Sequence, residues 1–243
     1  LLFSYAVAKP DDAWPPVSFS FHESADALEI RTERLVCRVR KNPCRLSFYT
    51  PDGTLLCADD TGPGWCPQGR ITWVGCWKQI SPDEHFYGLG EKASSLDHRG
   101  RTYVLWNTDP QTYHPGDDPL YQSIPFFLGL RDGRGYGIFF DNSHFARFAF
   151  GAEPEQDTYS FCAAGGEMRY YFFAGPRLTT ILERYTELTG RMALPPRWSL
   201  GYHQSRWSYY PESQVRALAR EFRQRRIPCD AIHLDIHYMD GYR

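Results

Sequence analysis

The residues best suited to chemistry near the C-terminal end lie in two short segments. Ser205-Arg206-Trp207 follows one apolar, strand-like run, and Asp235 through Asp240 ends a second. A tryptophan offers a broad flat face that can cover the apolar face of a sugar ring, and a carboxylate accepts strong, oriented hydrogen bonds from vicinal hydroxyls. Trp207 and Asp235 are therefore candidate sugar-binding residues. The alternatives at this point are that Trp207 packs under a loop and that Asp235 pairs with an arginine. A third candidate lies far upstream. Trp106-Asn107-Thr108-Asp109 ends another strand-like run and opens a long polar stretch, Pro110 to Pro119. Loops of that length inside compact domains often carry function. Asp109 is then a hydroxyl-binding tip or, alternatively, a solvated loop carboxylate.

Two other patterns point to different chemistry. His233, Asp235 and His237 alternate, so on a strand all three would share one face, as half of a metal site would. A zinc site also needs ligands from other strands, and none is visible, so no metal is expected. Gly88-Leu89-Gly90-Glu91-Lys92-Ala93 fits G-x-G-x-x-A, and Asp109 follows at about the 20-residue distance of a dinucleotide fingerprint. Ser94-Ser95, Asp97-His98 and Arg99-Gly100 leave no helix to receive a phosphate. The glycines are expected to form a sharp turn, and no cofactor is implied.

The elements that must hold these residues change character along the chain. From about Val17 to Phe173, short apolar or alternating runs such as Leu35 to Val39, Ile71 to Trp77 and Tyr136 to Phe140 are separated by turn signals. Among these are Pro51-Asp52-Gly53, Thr61-Gly62-Pro63-Gly64 and Ala163-Ala164-Gly165-Gly166. That grammar predicts an antiparallel β-sandwich. Leu178, Ile181, Leu182, Tyr185 and Leu188 then fall at helical spacing, with Pro176 before them and Gly190 after. Leu194-Pro195-Pro196 is a stiff connector, and the domains expected are 1–190 and 191–243. The second reads β-α-β: a strand over Trp198 to His203, a helix opened by Pro211 with the stripe Val215, Leu218, Ala219 and Phe222, and a strand over Ala231 to Tyr238. Such units build parallel sheets and (β/α)8 barrels, whose active face lies at the C-terminal strand ends where Trp207 and Asp235 fall. The loop after Trp106 is expected to reach across to that barrel mouth. A complete barrel takes about 250 residues, so only its beginning is expected here.

Composition removes several functions. The 243 residues carry a formal net charge of −2, so no long-range field recruits nucleic acid or an anionic membrane. No apolar run approaches the roughly 20 residues needed to span a bilayer. Leu1 to Ala8 shows no basic leader or cleavage pattern and is expected to be an internal start. Seven irregularly spaced cysteines include no C-x-x-C pair, which suggests a reducing cytoplasm. Aromatic residues make up 16%, a level that serves either a β-rich core or a carbohydrate site.

Five segments in register resemble glycoside hydrolase family 31, the α-glucosidases and α-xylosidases. They are Phe86 to Lys92 (FYGLGEK), Trp106 to Asp109 (WNTD), Tyr121 to Phe127 (YQSIPFF), Pro195 to Tyr209 (PPRWSLGYHQSRWSY) and Leu234 to Asp240 (LDIHYMD). The resemblance runs from about residue 30 to the last. It implies a galactose-mutarotase-like sandwich followed by the first β-α-β unit of a (β/α)8 barrel, with Asp109, Trp207 and Asp235 lining the sugar subsites. It further implies a retaining mechanism, in which a carboxylate attacks the anomeric carbon and a carboxylic acid protonates the leaving oxygen. In relatives the nucleophile sits in a W-x-D-M segment of a later strand, and the acid later still; neither segment occurs in this sequence. The chain is thus expected to bind part of an oligosaccharide or α-glucoside and to be inactive alone. Many relatives carry a second acidic residue where His237 stands, a departure expected to tune the charge and pH behaviour of the pocket. The motifs resemble the α-glucosidase branch more than the xylosidase branch. The rival functions are a non-catalytic sugar-binding sandwich and a metal-dependent hydrolase.

Overall fold

A computed structural model describes residues 3–68, 71–152 and 157–243. Thirteen strands precede the first α-helix: β1 (Phe19–Glu23), β2 (Ala27–Thr32), β3 (Val36–Arg40), β4 (Arg45–Tyr49), β5 (Leu55–Gln68), β6 (Ile71–Gln79), β7 (His85–Gly90), β8 (Thr102–Leu105), β9 (Ser123–Arg131), β10 (Arg134–Phe140), β11 (Ala146–Phe150), β12 (Thr158–Ala163) and β13 (Tyr170–Ala174). They form two antiparallel sheets: one of nine strands, ordered β1-β2-β3-β4-β5-β6-β12-β11-β8, and one of four, ordered β13-β10-β9-β7. The expected sandwich is therefore what forms. By its contacts the chain divides into two compact units, Leu1–Gly190 and Arg191–Arg243.

The period-two alternation of the strands decides what faces what. On β9, Phe127 enters the core between the sheets while its neighbour Phe126 turns to the outer face; on β10, Ile138 and Phe140 face inward and Phe139 outward. The inner cluster is mainly aromatic: Phe86, Phe127, Phe148, Phe150, Tyr159 and Phe161 are all fully buried, with ring pairs in tilted, stacked and edge-on contact. Helix α1 (Leu178–Thr189) covers the outer face, where Ile181 and Leu188 join Phe126, Phe139 and Phe173. Gly137 permits this approach, because a Cβ there would lie 2.6 Å from Cγ2 of Ile181.

Two turn expectations fail in the same way. The glycines of Thr61-Gly62-Pro63-Gly64 do not reverse the chain; they lie inside β5, whose register with β6 slips between Asp59 and Gly62. Two extra β5 residues, Asp60 and Thr61, are taken up there, and pairing resumes at Gly62, which takes φ +72°. Likewise Gly88-Leu89-Gly90 is not a sharp turn but lies within β7 at φ of +125°, +69° and +86°, where the register with β9 shifts and Leu89 alone stands opposite Ile124 to Phe126. No helix follows it, so the dinucleotide fingerprint is a coincidence of spacing.

In the second unit the two-strand parallel sheet is shorter than expected. The run Trp198 to His203 does not form a strand. Arg197–Leu200 is a 3₁₀ turn, closed by Ser199 N–H to Pro196 O at 3.0 Å and Gly201 N–H to Trp198 O at 3.1 Å. Strand β14 is His203–Ser205. Helix α2 (Glu212–Gln224) follows Pro211, and β15 is Ala231–His233 alone, not Ala231 to Tyr238. Asp235 takes φ +67° and Met239 N–H bonds Ile236 O at 3.2 Å, so the extended chain ends before Asp235. No helix among the described residues is long and apolar enough to cross a membrane.

Candidate functional site

In the sandwich, the candidate residue Asp109 sits on the segment between β8 and β9. That segment is tied at its base rather than loosely draped. Thr108 N–H bonds Leu120 O at 2.9 Å, Ser123 N–H bonds Asn107 Oδ1 at 2.9 Å, and the Tyr121 hydroxyl donates to Pro110 O at 2.9 Å. Tyr113 packs edge-on against Tyr121, with centroids 6.1 Å apart. Asp109 is exposed and forms no hydrogen bond or ion pair among the described residues. Desolvation, and after it the negative charge of Asp109, raises the Tyr121 phenol above its ordinary value. A free carboxylate on such a tied segment can receive sugar hydroxyls.

At the root of the same segment lies a cavity of about 660 Å³, with Trp106, Asn107, Ser123, Asp141, His144 and Tyr185 in its wall. The Ser123 hydroxyl is buried there with no hydrogen-bond partner among the described residues. Asp141 accepts from Ser4 Oγ at 2.7 Å and faces Arg169 Nε at 3.3 Å.

In the second unit, β14 and β15 pair in parallel, with Ser205 opposite His233, so their C-terminal ends release Trp207 and Asp235 side by side. Tyr209 N–H to Leu234 O at 3.2 Å joins the two emerging segments. Trp207 is 78% exposed and does not pack under a loop. Asp235 is exposed and pairs with no arginine among the described residues. His237 lies beside them: its Nδ1 is 2.5 Å from Ser208 Oγ, its ring stacks on Tyr210 at 5.7 Å, and Trp207 lies 6.2 Å away. The Trp207–Ser208 peptide is cis.

The structure thus places Trp207 and Asp235 on adjoining strand ends of one unit and Asp109 on a loop of the other. It does not bring His233, Asp235 and His237 onto one strand face, because β15 stops at His233. His233 Nε2 instead meets His203 Nδ1 at 3.1 Å. No group of three or more His, Cys, Asp or Glu that could hold a metal ion occurs among the described residues. Sequence reasoning missed Ser208, whose pairing with His237 spans 29 positions. It also passed over Lys92 and Asp118, which pin the Asp109 segment. Lys92 stood in a motif already noted, but Asp118 carries no local signal.

Comparison with known proteins gives the family. The glycosyl hydrolase 31 N-terminal galactose mutarotase-like domain matches residues 2–148, and the glycosyl hydrolases family 31 TIM-barrel domain matches residues 192–243. The chain belongs to glycoside hydrolase family 31. It is 45% identical to alpha-glucosidase 2 of Bacillus thermoamyloliquefaciens over 99% of its length, and 31% identical to alpha-xylosidase XylQ of Lactiplantibacillus pentosus over 82%. The chain spans 30% and 26% of those two proteins. Among solved structures it resembles a Flavobacterium johnsoniae family 31 dextranase complexed with isomaltotriose, at 41% identity and a TM-score of 0.86. That match covers 98% of this chain and 28% of the dextranase.

Proposed function

We propose that this chain is the sugar-binding front portion of a retaining α-glucosidase that releases terminal α-linked glucose from oligosaccharides. The observation that carries the reading is two exposed carboxylates without a partner and one exposed indole. Among the described residues the carboxylates of Asp109 and Asp235 make no ion pair or hydrogen bond, and Trp207 is 78% exposed. Asp109 and Asp235 would accept hydroxyl hydrogen bonds, and Trp207 would cover the apolar face of a ring. Supporting it are the 45% identity to an alpha-glucosidase and the likeness to a dextranase complexed with isomaltotriose. Nucleophile and acid/base stand about 5 to 5.5 Å apart in a retaining enzyme. Neither is among this chain's residues in our reading, so the chain alone is expected to be inactive, with no metal or organic cofactor taking part. Cys37, Cys44, Cys57, Cys76 and Cys229 are free thiols, which supports a reducing, cytoplasmic setting.

The test compares the chain alone with the whole reading frame that contains it, using chromogenic α-glucoside and α-xyloside substrates. We expect glucoside turnover by the longer protein and none by the chain. In the longer protein, Asp235→Asn should lower kcat/KM about 10- to 100-fold, the effect of losing charged hydrogen bonds worth roughly 1.5–3 kcal/mol. Turnover by the chain alone would overturn the assignment of the catalytic groups elsewhere. A preference for the xyloside would move the substrate to the xylosidase branch, which the 31% identity to XylQ makes a concrete second reading.

A further inference from the structure

Lys92 is the residue on which the Asp109 segment converges. Where the β7–β9 register shifts, the two strands run hard against each other: a Cβ on Gly88 would lie 2.6 Å from Phe126 O, and one on Gly90 the same distance from Gln122 O. Glu91 N–H then bonds Gln122 O at 3.1 Å. From this fixed point Lys92 passes beneath the segment, and its Nζ donates to Asp118 Oδ1 at 2.6 Å and Val104 O at 2.9 Å. The two side chains are 2% and 14% exposed. Asp118 Oδ2 accepts from Val104 N–H.

The pattern has a plain physical origin. Strand β8 is the edge of the nine-stranded sheet, paired only with β11. Its outward N–H and C=O at Val104 would otherwise be left without a strand partner. The Asp118 carboxylate takes the first and the Lys92 ammonium the second, so one ion pair substitutes for a missing strand. Because Val104 precedes Asp109 and Asp118 follows it, the same pair closes the base of the segment that carries Asp109. Gly116 N–H to Ala93 O adds a second tie on the returning limb.

We propose that Lys92 and Asp118 are positioning residues: together they set the reach of the Asp109 segment and hence the fit of the sugar hydroxyls to Asp109. This rests on the reading of Asp109 as a sugar ligand. The pair touches no substrate and acts through the segment. Displacements of about 1 Å in such a support cost up to roughly 100-fold in rate.

The experiment uses the whole reading frame containing the chain, with Asp118→Asn as the variant of first choice. It keeps the shape and an acceptor for Val104 N–H while removing the charge that holds Lys92. Lys92→Met is the second variant. Both are expected to speed amide exchange at Thr108 and Ser123 while leaving Phe127 and Phe161 protected. Both should also lower kcat/KM about 10- to 100-fold in the Asp109 protein and by less than about twofold in an Asp109→Ala background. Unchanged exchange at Thr108 and Ser123 would overturn the clamp. Equal losses in the two backgrounds would overturn the claim that it works through Asp109. If Asp109→Ala alone leaves kcat/KM untouched, the sugar-ligand reading of Asp109 falls, and the exchange arm still decides whether the pair holds the segment.

Discussion

The same residue types meet opposite fates in the two units. In the sandwich, Phe127, Phe148, Phe150 and Phe161 are completely buried; in the second unit Trp198, Trp207 and Tyr210 are 57%, 78% and 57% exposed. Helix α2 carries a regular apolar stripe yet has no buried residue, whereas α1 buries Ile181 and Leu188. Amphipathic pattern alone does not bury a side chain; an opposing surface must exist. Two sheets and α1 give the sandwich that surface on both faces of β9 and β10. Two three-residue strands and one helix cannot do so for residues 191–243. The difference bears on function, since side chains that the second unit leaves uncovered are those left to meet a ligand or another part of a protein.

Ring truncation should break the comparison most sharply. Phe161→Ala removes a fully buried ring and is expected to cost about 4 kcal/mol, read as a lower urea midpoint of the main unfolding transition. Phe222→Ala on α2 should cost no more than about 1 kcal/mol and leave that transition in place, because the ring is only half-buried. Comparable losses would mean that the two units share one cooperative core. Ion pairs give the next contrast. Lys78 and Asp59 meet at 2.6 Å with both side chains wholly buried, while Arg216 and Glu212 meet at the same distance on α2 at 69% and 76% exposure. Lys78→Met leaves a buried carboxylate unpaired and should cost about 3 kcal/mol; Arg216→Met should cost less than about 0.5 kcal/mol. An equal, small effect at both would show that water reaches Asp59.

How far the sequence could be read follows the same division. Sandwich strands announce themselves because one face of each is buried, which forces alternation, and α1 because Ile181, Tyr185 and Leu188 must meet one sheet face. The β-α-β order was legible, but strand lengths were not. The runs Trp198 to His203 and Ala231 to Tyr238 have strand composition, yet local turns at Ser199, Gly201 and Met239 take their backbone hydrogen bonds. The turn signals at Gly62 and Gly88 fall at positive φ but do not mark reversals, since a register shift within a sheet and a turn ask the same of a glycine. At the site, the positions of Trp207 and Asp235 beyond adjoining strands could be anticipated from β-α-β order. The Lys92–Asp118 pair could not, because an edge strand's need for a substitute partner is visible only once the sheet is assembled.

The smallest expected effect concerns a carboxyl that the sandwich buries and the second unit has no counterpart for. Glu84 is 2% exposed. It accepts from Ser81 N–H at 2.9 Å and from the Tyr136 hydroxyl at 2.6 Å, and that hydroxyl lies 3.0 Å from the Tyr159 hydroxyl in the core. Burial raises its pKa above the ordinary carboxylate value, against the opposing pull of these donors and of Arg131 and Arg99. A raised acid binds its proton more tightly folded than unfolded. Its contribution to stability is therefore fully present below the unfolded value, about 4.3, and declines as pH rises through the folded one. Urea midpoints measured from pH 4 to 7 should fall more steeply with pH in the unmodified chain than in Glu84→Gln. An Asp235→Asn control, changed on an exposed strand end, should follow the unmodified curve. Parallel curves for all three would show that Glu84 is solvated as freely as Asp235 and that the sandwich core is wetter around Tyr136 than its packing implies.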